Sequence, residues 1–181
     1  MNRYSFITLC LCLLMLSCEK PVQQEQGNGP QMPERPENVT TEALFNNSFE
    51  EGKESWDISG DADAIAFSEQ AADGRVSVRL GRSGTGDITI SQRVDNFKDG
   101  LYDVVFKYRK SNKGTGACYV ASGTDVTDLR MTALEVSSST WKDGRVRGVT
   151  VKDGKCYLEI RCQSTASGWC MMDDILSLIH I

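Results

Sequence analysis

Tyr102-Asp103-Val104-Val105-Phe106-Lys107-Tyr108-Arg109 alternates apolar and polar side chains along most of its length. Successive side chains of an extended strand point to opposite faces. Tyr102, Val104, Phe106 and Tyr108 therefore face a core, and Lys107 and Arg109 face outward. The same period of two returns at Cys156–Cys162, where Cys156, Leu158, Ile160 and Cys162 point inward and Tyr157, Glu159 and Arg161 point out. In Trp169-Cys170-Met171-Met172 the inward pair is Cys170 and Met172, which puts Trp169 and Met171 outside. Around Cys118, Val120 shares the inward side and Tyr119 points out.

Working outward from that strand, short runs of this kind fill the chain from about Ala43 onward. The expected strands are Ala43–Ser48, Ala64–Phe67, Val76–Leu80, Ile88–Val94, Gly100–Lys110, Ala117–Ser122, Arg130–Glu135, Arg145–Val151, Lys155–Cys162 and Trp169–Leu178. Asp-Gly pairs at Asp73-Gly74, Asp99-Gly100, Asp143-Gly144 and Asp153-Gly154 read as hairpin turns. No convincing helical period interrupts the series. The pattern predicts an all-β fold, a two-sheet β-sandwich of jelly-roll type.

The first 17 residues read as a signal peptide. Arg3 supplies a positive start, an apolar run from Ile7 to Leu16 follows, and Ser17-Cys18 comes next. The run is too short for a permanent membrane span. Cys18 after Leu-Ser resembles the lipobox of bacterial lipoproteins, in which that cysteine is lipidated; an ordinary signal peptide with a chance cysteine is the alternative. Residues 18–42 read as a lipid-anchored flexible linker. All four prolines of the chain fall here, among Gln, Glu, Gly and Asn, with little apolar surface to bury. Residues 43–178 form the module, and 179–181 read as a tail.

Composition removes several function classes. With 20 Lys+Arg against 25 Asp+Glu, no basic stripe is available to neutralise nucleic-acid phosphates. The single histidine, His180, leaves no histidine-dependent catalysis, and no nucleophile elbow, P-loop or zinc-protease motif is present. Beyond Cys18 four cysteines remain: Cys118, Cys156, Cys162 and Cys170. Cys156 and Cys162 lie roughly 20 Å apart on one extended strand and cannot bond to each other. Cys118 bonded to Cys156 or Cys170 and four buried free thiols are the open alternatives, with the shared core-facing position favouring thiols. The absence of a Cys-x-x-Cys pair argues against a metal.

A sugar presents apolar C–H faces and polar hydroxyl edges, so aromatic rings and planar polar groups suit it. Outward Trp169 and Tyr119 are candidate platforms, with Trp56 joining from a loop. Arg109 and Glu159 are candidate rim groups. Glu50, Asp173 and Asp174 are candidate ligands for a structural Ca²⁺ if the first and last strands are neighbours; solvated or hydrogen-bonded carboxylates are the alternative. Asp173 and Asp174 point to opposite faces of one strand, which disfavours a glycosidase acid/base pair.

Two signatures bracket the module: Asn46-Asn47-Ser48-Phe49-Glu50 near its start and Gly168-Trp169-Cys170-Met171-Met172-Asp173-Asp174-Ile175 at its end. With Gly100-Leu101-Tyr102, Arg109-Lys110-Ser111, Ala117-Cys118-Tyr119 and Trp141 they resemble the carbohydrate-binding modules attached to bacterial family 53 endo-β-1,4-galactanases, akin to the family 61 galactan-binding modules. The resemblance spans about residues 44–178. It implies a galactose-binding-like sandwich, a structural Ca²⁺, binding positions at Trp169 and Arg109, and a plant polysaccharide of the β-galactan or arabinogalactan type as partner. A monomer anchored by its lipid at the outer membrane or cell surface of a Gram-negative bacterium is the expected setting. Leu176–Ile181 also resembles translated sequencing adapter, which implies a chain continuing past about Ile175, with a family 53 catalytic barrel as the expected continuation. A free-standing glycan-binding lipoprotein is the alternative there. A structural spacer or protein-interaction domain within a surface glycan-utilisation complex is the competing function.

Overall fold

The computed structural model describes residues 39–41 and 44–180. The signal-peptide and lipidation readings, Cys18 included, fall outside them. Among the described residues eleven strands follow one another: β1 Val39–Thr41, β2 Asp57–Gly60, β3 Ile65–Ser68, β4 Ser77–Leu80, β5 Gly86–Val94, β6 Gly100–Lys110, β7 Thr115–Gly123, β8 Arg130–Ala133, β9 Ser137–Val151, β10 Cys156–Ser164 and β11 Cys170–His180. One short 3₁₀ turn, Ala62–Ala64, precedes β3. The order β3-β4-β11-β6-β9, with β1 added beside β11, makes one antiparallel sheet; β2-β5-β10-β7-β8 makes the other. The expected all-β two-sheet sandwich is the observed fold.

Alternation placed the core well. Tyr102, Val104, Phe106 and Tyr108 of β6 and Cys156, Leu158, Ile160 and Cys162 of β10 are all buried. They meet Val78, Leu80, Ile88, Ile90, Val120, Cys170 and Met172 in one cluster between the sheets. Burying side chains of this size contributes about 1.5–3 kcal/mol each.

Four local expectations differ. The segment expected as a strand at Ala43–Ser48 is a run of turns from Leu44 to Ser55. Asn46 organises it: its side chain donates to the carbonyls of Gly52 (2.9 Å) and Glu54 (3.0 Å) and accepts from the Glu51 amide. Side-chain hydrogen bonds of this type compete with a sheet ladder and win here. Buried Gln92 fastens the same segment by bonding Phe45 and Ser55.

Asp143-Gly144 is no hairpin turn but lies within β9, opposite Lys107 and Phe106 of β6. A Cβ at Gly144 would fall 2.1 Å from the Phe106 ring, so the glycine makes room for that ring rather than for a turn. The linker and tail boundaries also move. Val39–Thr41, assigned to the linker, pairs with Ser177–Ile179, and Ile179 and His180, assigned to a tail, continue β11 opposite Tyr102 and Leu101.

Candidate functional site

Placing each candidate in the sandwich divides them into two groups on different sheets. Arg109 stands on the outer face of β6, and Trp169 immediately precedes β11, both in the six-stranded sheet. Tyr119 on β7 and Glu159 on β10 belong to the five-stranded sheet. Trp169 and Arg109 share a face, and Tyr119 and Glu159 stand on the other sheet. Outwardness is a property of one strand, whereas a shared face needs a shared sheet.

On the six-stranded sheet, backbone geometry fixes the indole. The Trp169 amide donates to Ser111 Oγ (3.1 Å), and the Ser111 amide donates to the Trp169 carbonyl (2.9 Å). Gly81, at φ +115°, lets the chain pass; a Cβ there would meet the Gly168 carbonyl at 2.3 Å and Trp169 Cα at 2.8 Å. Two guanidiniums flank the half-buried indole: Arg109 Cζ lies 5.6 Å from the ring centroid and Arg79 Cζ 5.8 Å. Arg109 also lies 6.0 Å from the Trp141 ring on β9. Such contacts contribute about 0.5–1 kcal/mol each at exposed sites.

Arg109 is held in place by Gln70 Oε1, which accepts from its Nη1 at 3.2 Å, and by the Ser138 carbonyl, which accepts from Nη2. Its Nε is buried without a hydrogen-bond partner. Met171 is opposite Arg79 on one side and Arg109 on the other. It faces outward as expected, yet it is only 3% exposed. Arg79, Trp141 and Gln70 were not among the sequence candidates. Alternation on β4 marks Arg79 as outward, but only the strand order places β4 beside β11.

On the opposite face, Glu159 accepts from the Tyr119 hydroxyl (3.0 Å) and the Tyr157 hydroxyl (3.1 Å). Beside them Arg161 Nε donates to Asp87 Oδ1 at 2.9 Å, and Gln163 donates to Oδ2. The hydrogen bond from Arg161, then that from Gln163, hold the Asp87 carboxyl down at about 2. Burial pushes the Tyr119 and Tyr157 hydroxyls up. These groups satisfy one another.

Trp56 requires a correction. It is 7% exposed, stacks on Phe49 with centroids 5.1 Å apart, and donates its Nε1–H to the Asn46 carbonyl at 3.1 Å. It plugs the core under the 44–55 turns and offers no platform, because a buried indole keeps its N–H by finding a nearby carbonyl.

The expected carboxylate trio is not one cluster either. Glu50 Oε1 accepts from the amides of Arg75 (2.7 Å) and Val76 (2.9 Å), bonds that lower its pKa, Arg75's first. Fully buried Asp173 accepts at Oδ2 from the amides of Ala72 (2.6 Å) and Asp73 (3.1 Å) and at Oδ1 from Asp174. Burial nonetheless pushes the Asp173 carboxyl up. Glu50 and Asp173 thus clasp the same 72–76 turn from two sides. Asp174 stands apart: at φ +48°, within the β11 irregularity, it lines a depression with Lys107, Asp143 and Arg145. Among the described residues, the three metal-capable groups that do converge are Cys118, Cys162 and Cys170.

No protein-family model and no curated protein matches the chain. Solved structures do. TmCBM61 in complex with β-1,4-galactotriose superposes with a TM-score of 0.68 at 23% identity, covering 76% of this chain and 98% of its own. A family 16 carbohydrate-binding module gives 0.57 at 17% identity, covering 75% and 98%. The K3 adhesin domain of Lys-gingipain from Porphyromonas gingivalis gives 0.55 at 14% identity, covering 77% and 99%. At these identities the likeness is one of fold, a sandwich shared by carbohydrate-binding modules.

Proposed function

We propose that this chain is a non-catalytic polysaccharide-binding module whose site is the outer face of the six-stranded sheet at Trp169, Arg109, Arg79 and Trp141. The observation that carries the reading is the half-buried indole of Trp169 with two guanidiniums within 6 Å of its ring on the outer face of the sheet. The indole supplies an apolar surface for the C–H face of a pyranose. The guanidiniums supply planar donors for its ring-edge oxygens. Asp173 is committed to backbone amides and so is no candidate acid or base for glycosidic cleavage.

The ligand we propose is a β-galactan or arabinogalactan chain, supported by the galactotriose-bound neighbour and by the sequence resemblance. The setting we propose is a lipoprotein anchored through Cys18 at a Gram-negative outer membrane or cell surface, as part of a longer galactan-degrading protein. Multiple weak contacts near an enzyme raise its effective substrate concentration. We further propose a structural Ca²⁺ beside the 72–76 turn, whose amides Glu50 and Asp173 both accept from. Saturating Ca²⁺ would raise the melting temperature and chelator would lower it; no response to either removes the ion.

Affinity electrophoresis in gels containing galactan, arabinogalactan or xylan tests the binding claim. Retardation by the galactans supports it, and unaltered mobility in every gel ends it. A protein-interaction or spacer role is the second reading. It is favoured by the self-satisfied tyrosine–glutamate network on the other face and by the fold likeness to an adhesin domain.

A further inference from the structure

The interior of the sandwich contains three thiols brought together from three strands. Cys118 on β7 and Cys162 on β10 are direct cross-strand partners in the five-stranded sheet. Their sulfurs stand 3.1 Å apart. Cys170 opens β11 in the facing sheet, and its sulfur lies within 4.8 Å of both others. All three residues are buried, at 3% exposure or less. Cys156 is elsewhere in the core, with its sulfur 3.8 Å from Ser122 Oγ.

Beyond packing as small apolar side chains, two chemistries suit three thiols this close: coordination of a soft metal ion, and disulfide formation. Coordination needs thiolates. Three of them leave a net charge of −2 around a univalent ion or −1 around a divalent one, in an apolar interior where uncompensated charge is costly. The sulfur–sulfur hydrogen bonds push Cys162 and Cys170 up while the bond with Cys162 brings Cys118 down, so the trio favours one thiolate rather than three. A disulfide is neutral and suits these apolar surroundings. Directly opposed residues on neighbouring antiparallel strands also have Cα atoms within the span of a disulfide.

We infer that Cys118 and Cys162 form a disulfide across β7 and β10, with Cys170 remaining a reduced thiol against it. The reaction is exchange with an external disulfide, small or protein-borne. The thiolate of one cysteine attacks that disulfide and expels one thiolate. The thiolate of the other attacks the mixed disulfide and expels the second. Two S–H bonds are lost and one S–S bond forms, while the external disulfide takes up both electrons and both protons as two thiols. Because the sulfurs are buried in the finished fold, the bond forms before β11 closes over them. It would link positions 44 residues apart and restrict the unfolded chain.

The test is to refold the full chain in a mixture of oxidised and reduced glutathione, alkylate it under denaturing conditions, and map each cysteine by mass spectrometry. The expected result is a linked Cys118–Cys162 peptide pair, 2 Da lighter than the free thiols, with Cys156 and Cys170 alkylated. Reduction should lower the melting temperature by roughly 5–15 °C. Cys118→Ser should remove that response, and Cys156→Ser should keep it. Alkylation of both Cys118 and Cys162 in the refolded protein would overturn the inference, as would Cys170 in the linked pair. So would a stoichiometric zinc or copper ion that protects all three thiols. The peptide map of the wild-type chain decides the matter even if a variant fails to fold.

Discussion

Replacing Trp169 by alanine is the sharpest perturbation of the binding face. The indole is half-buried and touches two guanidiniums, so truncation removes two cation–π contacts of about 0.5–1 kcal/mol each, plus the packing beneath them. Its backbone is held independently by the paired hydrogen bonds to Ser111, so β11 should keep its register. A folding cost of about 1–3 kcal/mol is expected, within reach of a protein that stays folded. For binding, removal of a central aromatic anchor costs about 2 kcal/mol or more. That corresponds to roughly a 30-fold rise in Kd. Isothermal titration with galactan oligosaccharides measures the affinity, and circular dichroism confirms the fold. Trp169→Phe should retain most of the affinity, because a smaller ring still offers an apolar face. An alanine variant that remains folded and binds galactan as tightly as the parent would refute the assignment of the site, even with the binding function intact.

Other consequences follow from the same geometry. Trp56→Ala empties a core position and should lower stability by about 3–5 kcal/mol in denaturant unfolding; a loss under 1 kcal/mol would contradict its burial. Glu159→Gln lies on the opposite sheet and should leave galactan affinity within about twofold, or about 0.4 kcal/mol; a large loss in titration would move the site to that face. Asp87 has a folded pKa lowered to about 2 by Arg161 and Gln163, so its contribution is full above the unfolded carboxylate value and fades as pH falls towards 2. Asp87→Asn should accordingly flatten the acid limb of stability between about pH 4 and pH 2; an unchanged limb in acid titrations followed by fluorescence would exclude the pair. The effect is modest, since both partners are substantially exposed.

The core was readable along each strand because the side-chain period of a strand is two. One inward residue on β6 or β10 assigns its alternates, and those from Tyr102 to Tyr108 and from Cys156 to Ser164 are all buried. The opening signature misled because Asn46 and Gln92 divert its backbone from sheet pairing with side-chain hydrogen bonds, and a local pattern cannot show where Gln92 comes from. Gly144 misled for a related reason: the ring that demands a glycine sits on another strand, 38 positions earlier in sequence. Trp56 looked available beside a glycine turn, while its burial depends on Phe49 and on the sheet beneath.

By itself the sequence determined the class of fold and the inward and outward set of its main strands, since both rest on local period. Tertiary structure alone decided that Trp169 shares its face with Arg79 and Trp141 and not with Tyr119, and that Cys170 meets the Cys118–Cys162 pair across the layers. The reason is physical: strand order and the stacking of two sheets are set by the joint burial of residues far apart in the chain, and alternation within one strand carries no record of which strand lies beside it.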